Sequence, residues 1–240
     1  AGFTITETDG STEVDESGTT DTFTIVLDAQ PTSDVVLSIS SDDTGEATVT
    51  GTLTFSPVNW DTPQTITVTG VDDDLIDGLI TSSVTISVID EISDNTFDDI
   101  SDESISVTTA DDDTAGFTIT ETDGSTGVAE SGTTDTFTAV LNAEPTSDVV
   151  LTITSDDTGE ATVTSTLTFT SANWDTPQTV TITGIDDDLV DGTIASTITI
   201  EIDDANSDDD FDTITNQTVS VTTTDDDTAG FTITETDGST

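Results

Sequence analysis

Apolar and polar positions alternate with a period of two along most of this chain, and the polar partner is most often Thr. The run Thr22-Phe23-Thr24-Ile25-Val26-Leu27 shows the pattern, which recurs at Val35-Val36-Leu37-Ser38-Ile39-Ser40 and Thr65-Ile66-Thr67-Val68-Thr69. Strict alternation over four to eight residues places one face in a core and the other in water, so each such run predicts a strand. Seven strands are expected in the first 114 residues, over 2–8, 20–27, 34–40, 46–55 (with a break at Gly51), 64–69, 81–89 and 104–109. No stretch carries helical periodicity of useful length. Short strands separated by turn signals predict an all-β fold, a seven-stranded immunoglobulin-like Greek-key β-sandwich.

The pattern then repeats. Ala1-Gly2-Phe3 returns at Ala115-Gly116-Phe117 and Ala229-Gly230-Phe231, and Trp60 returns at Trp174, always 114 positions on. The two full copies align without a gap and are identical at roughly 70% of positions, a period too long for one solenoid turn and right for a whole domain. The expected organisation is a linear array: a sandwich over 1–114, a second over 115–228, and the first strand of a third over 229–240. That last segment fits either a window on a longer array, the preferred reading, or a strand donated to a neighbouring subunit. The start at Ala1, in mid-pattern and without a signal peptide or membrane span, is read as a mature product or such a window.

Strand parity places the acidic turns. If consecutive strands run antiparallel, the turns after the first, third and fifth strands and the end of the seventh all fall at one pole. Glu16 lies in the first of these turns. Asp42, Asp43 and Glu46 lie in the second, Asp72, Asp73, Asp74 and Asp77 in the third, and Asp111, Asp112 and Asp113 follow the seventh strand. At the opposite pole only the long loop over 90–102 is acidic, and its carboxylates are read as solvated.

Composition makes these clusters a problem to be solved. The chain holds 52 Asp and Glu against no Lys, Arg or His, a formal charge of −52. Nucleic acid, anionic membrane and acidic substrates are excluded as direct partners, because their capture needs a basic patch. Acidity with few aromatics would suit a disordered tail. Thr, however, is roughly a quarter of the chain, and this β-branched residue favours strands. Without Cys there are no disulfides, and without Lys no Lys–Asn cross-link, so rigidity must come from elsewhere. Catalysis finds no His, Lys, Cys or Tyr to serve as base or nucleophile, and no enzyme is expected.

Two carboxylates ~4 Å apart repel by ~4 kcal/mol at an effective dielectric of 20, so clustered ones stay together only around a cation. Six to eight hard oxygens at flexible geometry suit Ca²⁺, whereas Mg²⁺ demands an octahedron and keeps its water. Borderline metals would want His or Cys. Trp60 and Trp174, flanked by Pro-containing loops, are read as plugs of the sandwich end rather than sugar platforms. Asn216-Gln217-Thr218 fits a glycosylation sequon that is short enough to arise by chance.

Five motifs in fixed order are Val14–Gly18 (Val-x-Glu-Ser-Gly), Leu53–Phe55, Asn59–Gln64 (Asn-Trp-Asp-Thr-Pro-Gln), Asp72–Gly78 (Asp-Asp-Asp-x-x-Asp-Gly) and Asp111–Gly116. Together they resemble the Calx-beta domain, and most of all its bacterial tandem-repeat branch from large secreted and surface proteins. The resemblance implies a seven-stranded sandwich with Ca²⁺ in its distal loops. It implies ligands at Glu16, Glu46, Asp72, Asp73, Asp77, Asp111, Asp112 and Asp113, and in the second copy at Glu130, Glu160, Asp186, Asp187, Asp191, Asp225, Asp226 and Asp227. Gly78 stands where sensor members of that family continue with Glu, which leaves fewer ligands here. The expected function is a calcium-rigidified structural repeat of an extracellular fibre or giant surface adhesin of a prokaryote. Its partners would be neighbouring copies head to tail, with a surface or glycan ligand besides. The alternative is a calcium-sensing module that regulates a linked domain.

Overall fold

A computed structural model of the chain describes residues 1–234 and 236. It divides into two compact units, Ala1–Asp113 and Thr114–Thr240. The first unit contains β1 (Phe3–Glu7), β2 (Thr12–Asp15), β3 (Thr20–Leu27), β4 (Val35–Ser41), β5 (Ala47–Val49), β6 (Thr52–Phe55), β7 (Gln64–Gly70), β8 (Ile80–Val88) and β9 (Glu103–Ala110). One sheet has the order β1-β3-β7-β5 and the other β2-β9-β8-β4-β6. The second unit repeats both sheets with β10 (Phe117–Glu121), β11 (Thr126–Ala129), β12 (Thr134–Leu141), β13 (Val149–Ser155), β14 (Ala161–Val163), β15 (Thr166–Phe169), β16 (Gln178–Gly184), β17 (Ile194–Ile202) and β18 (Gln217–Thr224). Each unit is a Greek-key β-sandwich.

Alternation builds the core. Phe23, Ile25, Ile66 and Val68 of one sheet meet Leu37, Ile39, Val84, Ile86 and Val107 of the other, all buried, while the intervening Thr and Ser stay wetter. Burying side chains of this size contributes about 1.5–3 kcal/mol each. Phe137, Val180 and Ile182 face Leu151, Ile198, Ile200 and Val221 in the second unit.

One of the seven expected strands is divided between the sheets and one further strand, β2, was not expected, which gives nine segments. The first strand ends at Glu7, and the chain turns through Asp9 (φ 57) and Gly10 (φ 90). It then re-enters the opposite sheet as β2, pairing parallel with β9. With only Val14 as an apolar marker, β2 has too weak a pattern to be seen in sequence. The strand expected over 46–55 breaks near Gly51, as foreseen, and its halves join β7 and β4 respectively. Remaining strand ends shift by a residue or so, as at β8, which begins at Ile80.

The acidic loop between β8 and β9 corrects the solvated reading at Asp94 and in part at Asp98, one oxygen of which is buried without a donor. Asp94 is buried and accepts the N–H groups of Thr32, Ser33 and Thr96 at 2.6, 2.9 and 3.0 Å, and both threonine hydroxyls at 2.7 Å. These donors hold its carboxyl well below the usual range, Thr96 foremost. Asp208 does the same with Thr146 and Ser147. Trp60 packs against the core and accepts the Leu27 N–H through its carbonyl at 3.1 Å.

Residues 229–234 carry no strand, and Phe231 and Ile233 are exposed; 235 and 237–240, where the first strand of a third repeat was also expected, lie outside the described residues. Among the described residues no helix is long and apolar enough to cross a membrane.

Candidate metal centre

The alternation of β2 carries an acid into the interior. Thr12 and Val14 point inward, and continuing the period puts Glu16 inward too, just past the strand end. Its N–H still donates to the Ala110 carbonyl at 3.1 Å, so Glu16 is fixed against the last residue of β9. The turn beyond is closed by Gly18 N–H to Asp15 O at 3.2 Å. Close packing of this turn on the end of β7 requires Gly70, since a Cβ there would collide with the Asp15 carbonyl.

Three other segments converge on Glu16. Glu46 immediately precedes fully buried Ala47 and accepts the Val71 N–H through its carbonyl at 2.9 Å, which ties it to the end of β7. Asp77 lies in the β7–β8 loop. Asp111 stitches that loop to the triplet after β9. Its Oδ2 accepts the N–H groups of Asp77 and Gly78 at 3.0 and 2.8 Å, and its Oδ1 that of Asp113 at 2.7 Å.

Two groups of carboxylate oxygens result, each lying within 4.8 Å of one another: Glu16, Glu46 and Asp77, and Glu16, Asp112 and Asp113. Glu16 belongs to both. In the second unit the groups are Glu130, Glu160 and Asp191, and Glu130, Asp225 and Asp227. Asp72, Asp73 and Asp111, with Asp186, Asp187 and Asp226, fall outside these groups. Asp73 and Asp187 each spend one oxygen on a local turn, accepting Leu75 and Leu189 N–H at 2.8 and 2.6 Å. Asp111 serves as the fastener just described.

Burial turns these groups into a physical demand. Glu16 and Glu130 are 1% exposed, Glu46 and Glu160 7%. Both carboxylate oxygens of Glu16 and of Glu130 are buried without a hydrogen-bond donor, as is one oxygen each of Glu46, Asp113, Glu160 and Asp227. A buried carboxylate costs several kcal/mol unless paired. No cationic side chain exists anywhere in the sequence to pair it.

Proton uptake is one relief. Burial, then the charges of Asp77, Asp111, Asp73 and Glu46, push Glu16 up to about 7. Burial, then Asp111, Asp74, Asp112 and Asp72, push Asp113 up to about 6. Glu46, Asp77, Glu130, Glu160 and Asp227 are raised as well, burial leading in every case. Asp225 runs the other way, held low by the N–H groups of Gly192 and Asp227.

The second relief is a hard cation. Carboxylate oxygens from four chain segments, those of three buried without a donor, with neither nitrogen nor sulfur among them, are the donor set of an oxygen-loving divalent ion. Sequence reasoning left three contributors out of the ligand set. Asp43 and Asp74 raise Glu46 and Asp113 respectively. Asp15 is, after burial, the main influence on Asp112. Asp43 and Asp74 belong to acidic runs already noted. Asp15 was invisible because β2 was not recognised as a strand beside the triplet.

No protein-family model and no curated protein matches the chain. Among solved structures, CBD12 from CALX1.2 is 15% identical over 82% of this chain and 79% of that one, with a TM-score of 0.32. Domains 4 and 5 of the S-layer protein SbsC are 18% identical over 78% and 76%, with a TM-score of 0.36. SbsC domains 1–6 are 16% identical over 94% of this chain and 28% of that one, with a TM-score of 0.38. Likeness this slight assigns no role to any residue here.

Proposed function

We propose that this chain is a structural repeat segment of an extracellular fibre or surface protein, stiffened by Ca²⁺ held at one end of each sandwich. The observation that carries this reading is the pair of donorless, fully buried glutamates, Glu16 and Glu130, in a chain without a single basic side chain. Glu16, Glu46 and Asp77, with Asp112 and Asp113, would hold the ion in the first unit; Glu130, Glu160 and Asp191, with Asp225 and Asp227, would hold it in the second. The bound ion would neutralise the clustered charge and cross-link four chain segments that otherwise repel.

The triplet Asp111–Asp113 leads directly into the next repeat at Thr114–Phe117, with no linker residues between them. Two near-identical copies suit a spacer built by duplication better than a sensor tuned to one linked domain. Head-to-tail neighbours in a prokaryotic surface fibre are the partners this implies. Ligand that binds only the folded state stabilises it by about 4 kcal/mol per site at a thousandfold excess over Kd, an excess that millimolar extracellular calcium supplies for a site of roughly micromolar Kd.

Small-angle X-ray scattering of the full chain in calcium and in chelator tests the spacer reading. Calcium should narrow the distribution of lengths toward one extended form. An identical distribution in both conditions overturns the spacer, and a calcium-driven bend confined to one unit favours the sensor.

A further inference from the structure

The two centres are close to a controlled comparison. Ser41–Val49 and Ser155–Val163 are identical, Asp72–Asp74 and Asp77 match Asp186–Asp188 and Asp191, and Asp111–Asp113 match Asp225–Asp227. Among these segments and the turn that bears the buried glutamate, the carboxylates differ at two positions only. The first unit has Glu13 and Asp15 where the second has Gly127 and Ala129.

Topology places that difference beside the site. β2 and β9 pair parallel with Asp15 opposite Ala110, and β11 and β18 pair in the same register with Ala129 opposite Thr224. From Ala110 the chain runs straight into Asp111–Asp113, and from Asp15 straight into Glu16. Asp15 therefore sits at the point where two of the ligand-bearing segments leave the sheet together. Its Oδ1 accepts the Ser17 N–H at 2.9 Å, which holds the charge at the turn. At the equivalent point the second unit has only a methyl group. Glu13 is exposed one pleat back, with an oxygen on the Ser11 hydroxyl at 3.0 Å, and so adds charge at longer range.

We propose that Asp15 is a further cation-binding charge of the first centre, and that its absence at Ala129 makes the two centres unequal, so that the first unit fills with calcium before the second. The proposal rests on the reading that both centres hold calcium. A unit charge ~6 Å from a divalent ion in a water-like dielectric changes affinity roughly tenfold, and salt screening trims this to about three- to tenfold. Two near-identical repeats then respond over different calcium ranges, and one side chain sets the offset.

Calorimetric titration of the full chain with calcium tests this. The wild type should show two classes of site, with Kd values three- to tenfold apart. Glu16→Gln should remove the tighter class and Glu130→Gln the weaker, which assigns each to its unit. Asp15→Ala should weaken the tighter class until the two merge, and Ala129→Asp should tighten the weaker one by a similar factor. Each exchange installs a residue that the other copy already carries in the same register, so folding is expected to survive, and circular dichroism checks it. Equal classes in the wild type, a tighter second unit, or an Asp15→Ala chain with unchanged affinities each overturn the proposal while leaving calcium binding intact. Absence of calcium heat in every chain defeats the calcium reading itself.

Discussion

The carboxylate of Asp111 accepts the backbone N–H of Gly78 at 2.8 Å, and 114 residues on Asp225 accepts that of Gly192 at 2.8 Å. One side chain thereby fastens the triplet after the last strand to the acidic loop between β7 and β8. Gly78, at φ +75, occupies a left-handed conformation that leaves its N–H facing this acceptor at little steric cost.

Removing the fastener should matter more than removing one charge. Asp111→Ala leaves the N–H groups of Asp77, Gly78 and Asp113 without their acceptor, and Asp77 and Asp113 lose their placement. Calcium affinity of the first unit is expected to fall at least ~10-fold, since orientation of ligands by neighbouring hydrogen bonds is commonly worth that much. Asp111→Asn keeps an acceptor and should lose less. Titration calorimetry of both variants checks the order, and equal losses would show that Asp111 acts by charge alone.

Glu16→Gln should change sign with calcium. In chelator at pH 8 the substitution removes a buried, donorless charge and should stabilise the first unit by about 1–2 kcal/mol, the amide recovering part of the penalty. In calcium it should destabilise, because the ion loses the ligand shared by both oxygen groups. Urea melts in each condition measure both values. Destabilisation in chelator as well would mean that Glu16 has an internal partner.

The pH dependence of the metal-free protein follows from two opposed sets of carboxylates. Glu16 is pushed up to about 7 from 4.5, and Asp113 up to about 6 from 3.8. Raised folded values give stability that is full below the unfolded value and is lost as pH rises through the folded one. Calcium-stripped protein should therefore lose stability from about pH 5 to pH 8, while calcium affinity climbs over that window as the protons leave. Asp94 and Asp225 are lowered, so their contribution is present above the unfolded value and is lost only in acid. Thermal melts of stripped protein from pH 4 to 8 should peak on the acidic side of neutrality. A steady rise toward pH 8 would contradict the burial of unpaired charge.

Asp94 makes a calcium-independent prediction. Asp94→Ala deprives three N–H groups and two hydroxyls of their buried acceptor, at a cost of about 1–3 kcal/mol, since the exposed donor residues recover part of the loss in water. The loss should be the same in calcium and in chelator, because this staple lies in the loop after β8 and makes no contact with the oxygen groups around Glu16. A calcium-dependent loss, read from paired melts, would link the two ends of the sandwich.

The fold was legible because period-two alternation is strong wherever a strand has three or more apolar teeth, as at Phe23-Thr24-Ile25-Val26-Leu27. It failed at β2, where Val14 stands alone between Thr12 and Glu16. That gap had a consequence at the site. Strand parity brings four acidic segments to one end, but it gives no register, so it could not separate Glu16, which faces the core, from Asp111, which fastens backbone. Nor could it show Asp15 beside Asp112, a relation set by the parallel pairing of β2 with β9. Asp94 looked like any loop acid because its five donors come from residues up to 62 positions away.

The central claim is that each sandwich needs a cation where its own chain supplies none. Differential scanning calorimetry of the full chain at pH 8, in millimolar calcium and in excess chelator, tests it most directly. Calcium is expected to add about 4 kcal/mol per unit, which raises Tm by roughly 15–25 °C for a domain of this size, and Glu16→Gln with Glu130→Gln should abolish most of that gain. An unchanged Tm in excess chelator would contradict the account.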